Sequence, residues 1–399
     1  RIFVCDPYKD EDLKNVASQV DSKILTADAH GKGSLLSEAN LMSKIFNTVD
    51  RKPDDLADLL YTSGTTGRSK GAMLTQNNLL SNAKTLKKLW QVTKSDILIH
   101  ALPIFHTHGL FVALNTAMLA GAKVNFIPKF DIDEIIERLH ASTLLMGVPT
   151  FYTRLLADYR LTEELTKNMR LFISGSAPLL SETHEEFTKR TGHHILERYG
   201  MTETNMITSN PYHGERRPGT VGKPLADVQM KITDPETGTE MAEGEIGMIE
   251  VRGPNVFKGY WNMPDKTALE LRETGYFITG DLGKLSSDGY LSIVGREKDL
   301  IISGGYNVYP KEVEDILNEL NQIDETAVFG IQDNDLGERV VAALVLENDK
   351  NFNQHKIEVF ANEKLARYKQ PKEYFVLDSL PRNSMGKVQK NELRKRFSS

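Results

Sequence analysis

Residues 61–71 read Tyr-Thr-Ser-Gly-Thr-Thr-Gly-Arg-Ser-Lys-Gly, a run of small and hydroxylated positions closed by a lysine. Such a run lets backbone N–H groups approach a polyphosphate closely, adds hydroxyl donors and ends on a positive charge. A Walker-type loop needs Gly directly before its Lys and Ser or Thr after it. Lys70 lies instead between Ser69 and Gly71, so that motif does not match. The competing reading is a plain Gly/Ser/Thr loop; Lys70 and the helical pattern beyond it favour phosphate. His106 and His108 are two residues apart with no third ligand nearby, which does not make a zinc site. Cys5 has no His–Asn context for a nucleophile and reads as a small buried hydrophobe. Being the single cysteine, it also rules out an internal disulfide framework and fits a reducing compartment. Lys387, in a Met-Gly-Lys turn, reads on composition alone as a surface lysine.

Elements must bring these residues together. The chain has 399 residues, 40% hydrophobic and 26% charged, which suits a globular protein of more than one domain. A net charge of −6 gives no support to nucleic acid or an anionic membrane surface as partner. The longest apolar stretch, Gly109–Val124, is broken by Asn115, Thr116 and Lys123 and predicts a buried helix, short of the roughly 18–20 apolar residues of a membrane span. Between about residues 96 and 200, strand-like runs alternate with helical ones. Ile132, Ile135, Ile136 and Leu139 mark one helical face; residues 143–148 and Leu171–Ser174 are short buried strands. This rhythm predicts a mostly parallel sheet covered by helices, with ligands beyond the carboxyl ends of the strands. After Gly222 the pattern becomes β-rich, with Val228, Met230 and Ile232 alternating. Beyond Lys298 a helical face of Val313, Ile316, Leu317 and Leu320 precedes two further strands, a small α+β domain. The start at Arg1, without Met and on a strand-like run, predicts that an N-terminal segment is missing.

Ordered motifs across nearly the whole chain resemble the adenylate-forming superfamily of acyl-CoA synthetases, luciferases and adenylation domains. Residues 62–71 resemble its phosphate loop, 175–179 (GSAPL) its adenine-side loop, and 197–204 (ERYGMTET) its adenine and metal segment. Residues 279–283 (TGDLG) resemble its ribose segment, 295–314 its hinge and Gly-rich hairpin, and 381–390 its catalytic-lysine segment. The resemblance implies an α/β large domain, residues 1–297, with a β-rich subdomain at about 223–297. A small mobile α+β domain, 298–399, would follow a hinge at Lys298. It implies an ATP-dependent acid–thiol ligase using ATP, Mg2+ and coenzyme A. Thr62, Ser63, Gly64, Thr65, Thr66, Gly67 and Lys70 would hold phosphates. Gly175, Ser176, Ala177, Glu197, Arg198, Tyr199, Gly200, Met201 and Thr202 would surround the nucleotide. Asp281 and Arg296 would take the ribose side and Glu203 the metal. Lys387, Thr66 and Glu203 would act in catalysis, Lys387 by bridging the attacking carboxylate and the α-phosphate. Ser303, Gly304 and Gly305 would line a pantetheine tunnel after a domain rotation about Lys298.

Residues 102–110 and 197–206 are most similar to the malonyl-CoA synthetase branch. A dicarboxylate needs cationic partners for its second carboxylate, and in that branch Arg154 and Arg198 match the positions that supply them. Ser176 and His106 would add hydrogen bonds, while Thr107 and Met206 would crowd C2 of the acid, admitting a methyl group. The rivals are a ligase for an aryl or medium-chain acid and a module that loads a carrier protein. The expected partners are therefore small molecules, without nucleic acid or a membrane span. The cytoplasm is the expected location, with an organelle left open because a presequence would lie in the missing segment.

Overall fold

The computed structural model describes residues 1–28, 30–62, 69–347, 352–383 and 386–398. The chain divides into two compact units, Arg1–Arg51 and Lys52–Ser399. In the first, strand Ile2–Cys5 pairs in parallel with Lys23–Thr26, and helix Asp10–Gln19 connects them. Cys5, expected to be buried, is half-buried at the end of its strand.

The second unit opens with an antiparallel hairpin, Leu56–Thr62 against Lys70–Thr75, in which Thr62 faces Lys70. Lys70 therefore begins a strand, and the helix expected after the loop starts only at Gln76. Thr75 and Asn78 cap that helix reciprocally, side chain to backbone in both directions, which satisfies two of its free N–H groups.

A seven-stranded sheet follows. Its strands run in the order Lys223–Pro224, Asn205–Ser209, Leu196–Met201, Leu171–Ser174, Leu144–Gly147, Ile97–His100, Lys123–Phe126. Pairings from Leu196–Met201 to Lys123–Phe126 are parallel, as the alternating pattern predicted. Strand Ile97–His100 leads to one neighbour, Lys123–Phe126, and the chain then returns on its other side with Leu144–Gly147. Strand order reverses there, which opens a crevice beyond the carboxyl ends. Two of the parallel strands, Leu144–Gly147 and Leu171–Ser174, are buried along their whole length, which explains largely apolar runs in place of alternation.

The expected single helix over Gly109–Val124 is divided. A π-helical segment, His108–Leu114, passes into an α-helix, Asn115–Ala120, and Gly121 ends it with φ 71°. Val124 belongs to the edge strand Lys123–Phe126. The apolar run concealed this boundary because a buried helix and a buried strand have the same composition.

The β-rich region is a four-stranded antiparallel sheet of Gln229–Thr233, Gly247–Arg252, Phe277–Leu285 and Leu291–Arg296. The C-terminal region is built on the long antiparallel pair Ile323–Asp333 and Gly337–Leu346, with helix Pro310–Leu317 packed against it. Among the described residues no helix is long and apolar enough to cross a membrane.

Asp96 fixes the amino end of the main sheet. It is 3% exposed and takes both Arg170 Nε and Nη2 at 2.7 Å, the Thr143 hydroxyl at 2.8 Å and the Thr93 N–H at 2.8 Å. Burial opposes its charge, but the hydrogen bonds from Arg170, Thr93 and Thr143 outweigh it and lower its pKa. The Asp96→Asn variant should lose about 3 kcal/mol at pH 7, the scale for breaking a buried ion pair. The pair's contribution is lost as pH falls through the lowered Asp96 pKa, so the difference should shrink in acid. Urea unfolding at pH 7 and pH 3 measures both effects.

Candidate active site

A cavity of about 350 Å³ opens beyond the carboxyl ends of the parallel strands. Val148, Pro149 and Thr150 follow one strand; Ser176, Ala177 and Leu179 follow the next; Glu197 to Gly200 lie on the third. Asp281 and Arg296, from the antiparallel sheet, form another wall, and Lys311, Gly386 and Lys387 of the C-terminal region complete the lining.

Asp281 and Arg296 face each other in strand register. Arg296 Nε lies 2.9 Å from Asp281 Oδ1, and the Tyr199 hydroxyl donates to Asp281 Oδ2 at 2.6 Å. The Asp281 carboxylate keeps the Arg296 guanidinium charged. Lys387 lines the same cavity, its backbone N–H bonded to Asn383 Oδ1 at 2.9 Å. Burial lowers the Lys387 ammonium to about 8, assisted by the Arg296 charge, while Asp281 opposes the shift. Glu197 is buried and pushed up to about 8, an effect the Lys311 ammonium and the Leu179 N–H partly offset.

Arg198 has the most demanding position. It is 3% exposed, and its Nε and Nη2 have no hydrogen-bond partner among the described residues. Burial pulls it down to about 9, so it remains charged at neutral pH. Gly175 makes its seat possible: a Cβ there would lie 2.4 Å from Arg198 Nη1 and 2.5 Å from Cζ. The neighbouring histidines avoid adding positive charge. Burial lowers His106 to about 4 and His108 well below its ordinary value, and Arg198 adds to both shifts. His106 Nδ1 accepts from the His108 N–H at 3.3 Å, and His108 Nδ1 lies 3.2 Å from Ser176 Oγ. Ser176 holds a left-handed backbone, φ 74°. Thr107 is buried with its hydroxyl unpartnered, and Met206 is a core residue packed beside Gly200.

Glu203, 4% exposed in the turn between strands Leu196–Met201 and Asn205–Ser209, accepts the Tyr260 hydroxyl at 2.9 Å. Burial raises its pKa. Met201 and Thr202 lead into this turn and are partly exposed. Lys70 Nζ lies 3.1 Å from the same hydroxyl. Thr62 Oγ1 is 3.5 Å from the Lys70 carbonyl. Ser63, Gly64, Thr65, Thr66 and Gly67 lie outside the described residues. Tyr260 and Glu270, which join Lys70 to Glu203, were not found from the sequence; no spacing signal links positions 190 and 200 residues apart.

Thr62, Lys70, His106, Thr107, Gly175, Met201, Thr202, Glu203 and Met206 are not among the cavity-lining residues, and neither are Arg154, Lys298 and Ser303 to Gly305. Arg154 is exposed, because Phe151, Tyr152, Leu155 and Leu156 take the buried face of helix Pro149–Ala157. Its guanidinium lies 5.2 Å from the centre of the Phe130 ring. Ser303, Gly304 and Gly305 form the tip of hairpin Ile301–Ser303/Tyr306–Val308 and are not among the cavity-lining residues. Lys298 is exposed in the turn Glu297–Asp299.

Residues 2–261 match the AMP-binding enzyme family model and residues 312–387 the AMP-binding enzyme C-terminal domain. The chain belongs to the AMP-binding enzyme family. A malonate–CoA ligase of Arabidopsis thaliana is 40% identical over 373 residues, covering 86% of this chain and 61% of that protein. The chain thus spans less than two thirds of that relative's length. ATP-bound MatB from Rhodopseudomonas palustris superposes with a TM-score of 0.98 at 54% identity, over 100% of this chain and 79% of that one. Apo MatB from the same organism, at the same 54% identity, gives 0.84. The arrangement of this AMP-binding enzyme therefore follows the ATP-bound relative more closely than the apo one.

If Gly175 exists to admit Arg198, Gly175→Ala must displace the guanidinium. The unfolding free energy should drop by about 1–3 kcal/mol, the range for overpacking. An unchanged urea midpoint would show that Arg198 does not depend on this seat.

Proposed function

We propose that this protein is a malonate–CoA ligase. It converts ATP, malonate and coenzyme A to malonyl-CoA, AMP and diphosphate through a malonyl-adenylate. The observation that carries this reading is the Arg198 guanidinium, buried with two nitrogens unpartnered. An unpaired buried cation is strongly unfavourable, and a second substrate carboxylate would supply charge and acceptors together. An apolar acid tail would leave that cation bare. The name of the Arabidopsis relative and the ATP-bound MatB likeness support the same activity.

The chemistry requires no protein nucleophile. The substrate carboxylate attacks the α-phosphate, diphosphate leaves, and the CoA thiol then displaces AMP. Positioning and charge stabilisation are what the protein contributes. In this reading Thr62, residues 63–67 and Lys70 hold the β- and γ-phosphates. Gly175, Ala177, Glu197, Tyr199, Gly200, Met201 and Thr202 enclose the adenine, and Asp281 takes the ribose hydroxyls beside Arg296. Lys387 bridges carboxylate and α-phosphate. Ser176, His106, Thr107 and Met206 shape the acid's surroundings, and Arg154 remains a candidate for its approach. Glu203 offers one oriented carboxylate, which suits Mg2+ because that ion takes one or two carboxylates and completes its sphere with phosphate and water. When bound, the ion would neutralise charge on the phosphates.

Residues 298–399 form the moving domain of this reading, turning about Lys298 so that Ser303, Gly304 and Gly305 replace Lys387 for thioester formation. The single cysteine supports a reducing compartment, the cytoplasm or an organelle matrix.

Two measurements test the proposal. In a coupled AMP-release assay malonate should exceed acetate in kcat/KM by ~10⁴, the discrimination available when a polar pocket group loses its partner. Arg198→Gln should remove most of that ratio. Equal rates with both acids would refute malonate specificity and leave the ligase chemistry intact. Second, Lys387 must be protonated to bridge two anions, so kcat/KM for adenylation should decline above about pH 8. Lys387→Arg should abolish the decline; a wild-type profile flat to pH 10 would exclude this role.

A further inference from the structure

Lys70 already has an anionic partner. Its Nζ lies 3.5 Å from each Glu270 carboxylate oxygen, 3.1 Å from the Tyr260 hydroxyl and 4.4 Å from the centre of the Tyr260 ring. The two charged side chains are 17% and 22% exposed, so water screens them only partly. Tyr260 ties the pair to Glu203: its hydroxyl lies 2.5 Å from Glu270 Oε2 and 2.9 Å from Glu203 Oε1. Glu270, the last residue of helix Pro264–Glu270, has a second cation in Lys266, 2.7 Å away and 40% exposed.

We propose that Glu270 is the resident counter-ion of Lys70, holding the lysine until a polyphosphate displaces it and retaking it when diphosphate leaves. The proposal rests on the ATP-dependent reading above and assigns Glu270 and Lys266 as positioning residues for it. An ammonium left buried and alone would be unfavourable, so a site that must be empty between turnovers needs a substitute for the phosphates. The substitute competes with them. Apparent affinity is reduced by the fraction of molecules in which Lys70 is engaged with Glu270. Lys266 makes the exchange easier, because Glu270 keeps an ion partner after Lys70 departs. The Tyr260 hydroxyl meanwhile stays on Glu203 and keeps that carboxylate oriented towards the same phosphates.

This arrangement gives opposite signs for two neighbouring substitutions, which a merely structural role would not. Inorganic pyrophosphate is titrated calorimetrically into the full chain as wild type, Glu270→Gln and Lys266→Met. Glu270→Gln frees Lys70, so pyrophosphate should bind about five- to tenfold tighter. KM for ATP should fall similarly, with KM for the acid unchanged. Lys266→Met leaves Glu270 with Lys70 alone, and pyrophosphate should bind about two- to threefold more weakly. Lys266 is exposed enough that this variant should fold even if Glu270→Gln does not, so its sign alone tests the exchange. Unchanged or weaker binding by a folded Glu270→Gln protein, or unchanged or tighter binding by Lys266→Met, would overturn the proposal. A wild-type chain that binds neither pyrophosphate nor ATP would instead refute the ATP-dependent reading, and this proposal with it.

Discussion

Arg198 is a cation only 3% exposed, and among the described residues no carboxylate pairs with it. The rest of the site is arranged around that constraint. Gly175 has no Cβ because the guanidinium occupies the space a Cβ would need. Ser176, next along the loop, takes a left-handed backbone, φ 74°, a conformation that non-glycine residues rarely adopt. His106 and His108 stay neutral, since a second positive charge beside Arg198 would add repulsion to burial. A protein tolerates such an arrangement where a ligand completes it, and unsatisfied buried groups concentrate at functional sites for that reason.

The parallel sheet supplies the geometry. Its strand order reverses between Ile97–His100 and Leu144–Gly147, and the loops beyond the carboxyl ends hold the residues that line the cavity. The antiparallel sheet contributes Asp281 and Arg296 as a registered cross-strand pair, and Tyr199 joins the two sheets through its bond to Asp281. A small C-terminal region closes the same cavity with Lys387.

Half-buried Lys70 and buried Arg198 illustrate two solutions to one electrostatic problem. Lys70 keeps a carboxylate within 3.5 Å, the partner that the proposed exchange would trade for phosphate. Among the described residues Arg198 has no such substitute, and its Nε and Nη2 are unpartnered. The first arrangement permits anions to come and go, as a nucleotide and its product must. In the proposed reading the second would select for an anion, because a neutral occupant would leave the charge unpaired.

Much was legible in the sequence because it depends on local rules. The parallel strands, the helical face ending at Leu139 and the Gly304–Gly305 hairpin follow from periodicity and turn residues. Local rules also misled: the apolar run from Gly109 hid a π-helical segment and an edge strand, and Cys5 proved half-buried. Long-range contacts were not legible at all. Tyr260 and Glu270 meet Lys70 across 190 and 200 residues, and Lys387 reaches Asp281 and Arg296 only through the packing of separate regions. Arg154 and Arg198 look equivalent as sequence, yet helix phase leaves one exposed and strand pairing buries the other. By itself the sequence determined which chemical groups were available and which local backbone would carry them. Only the tertiary structure decided which of those groups lost their water and which partners they then faced, because burial and charge pairing are properties of contacts between distant segments.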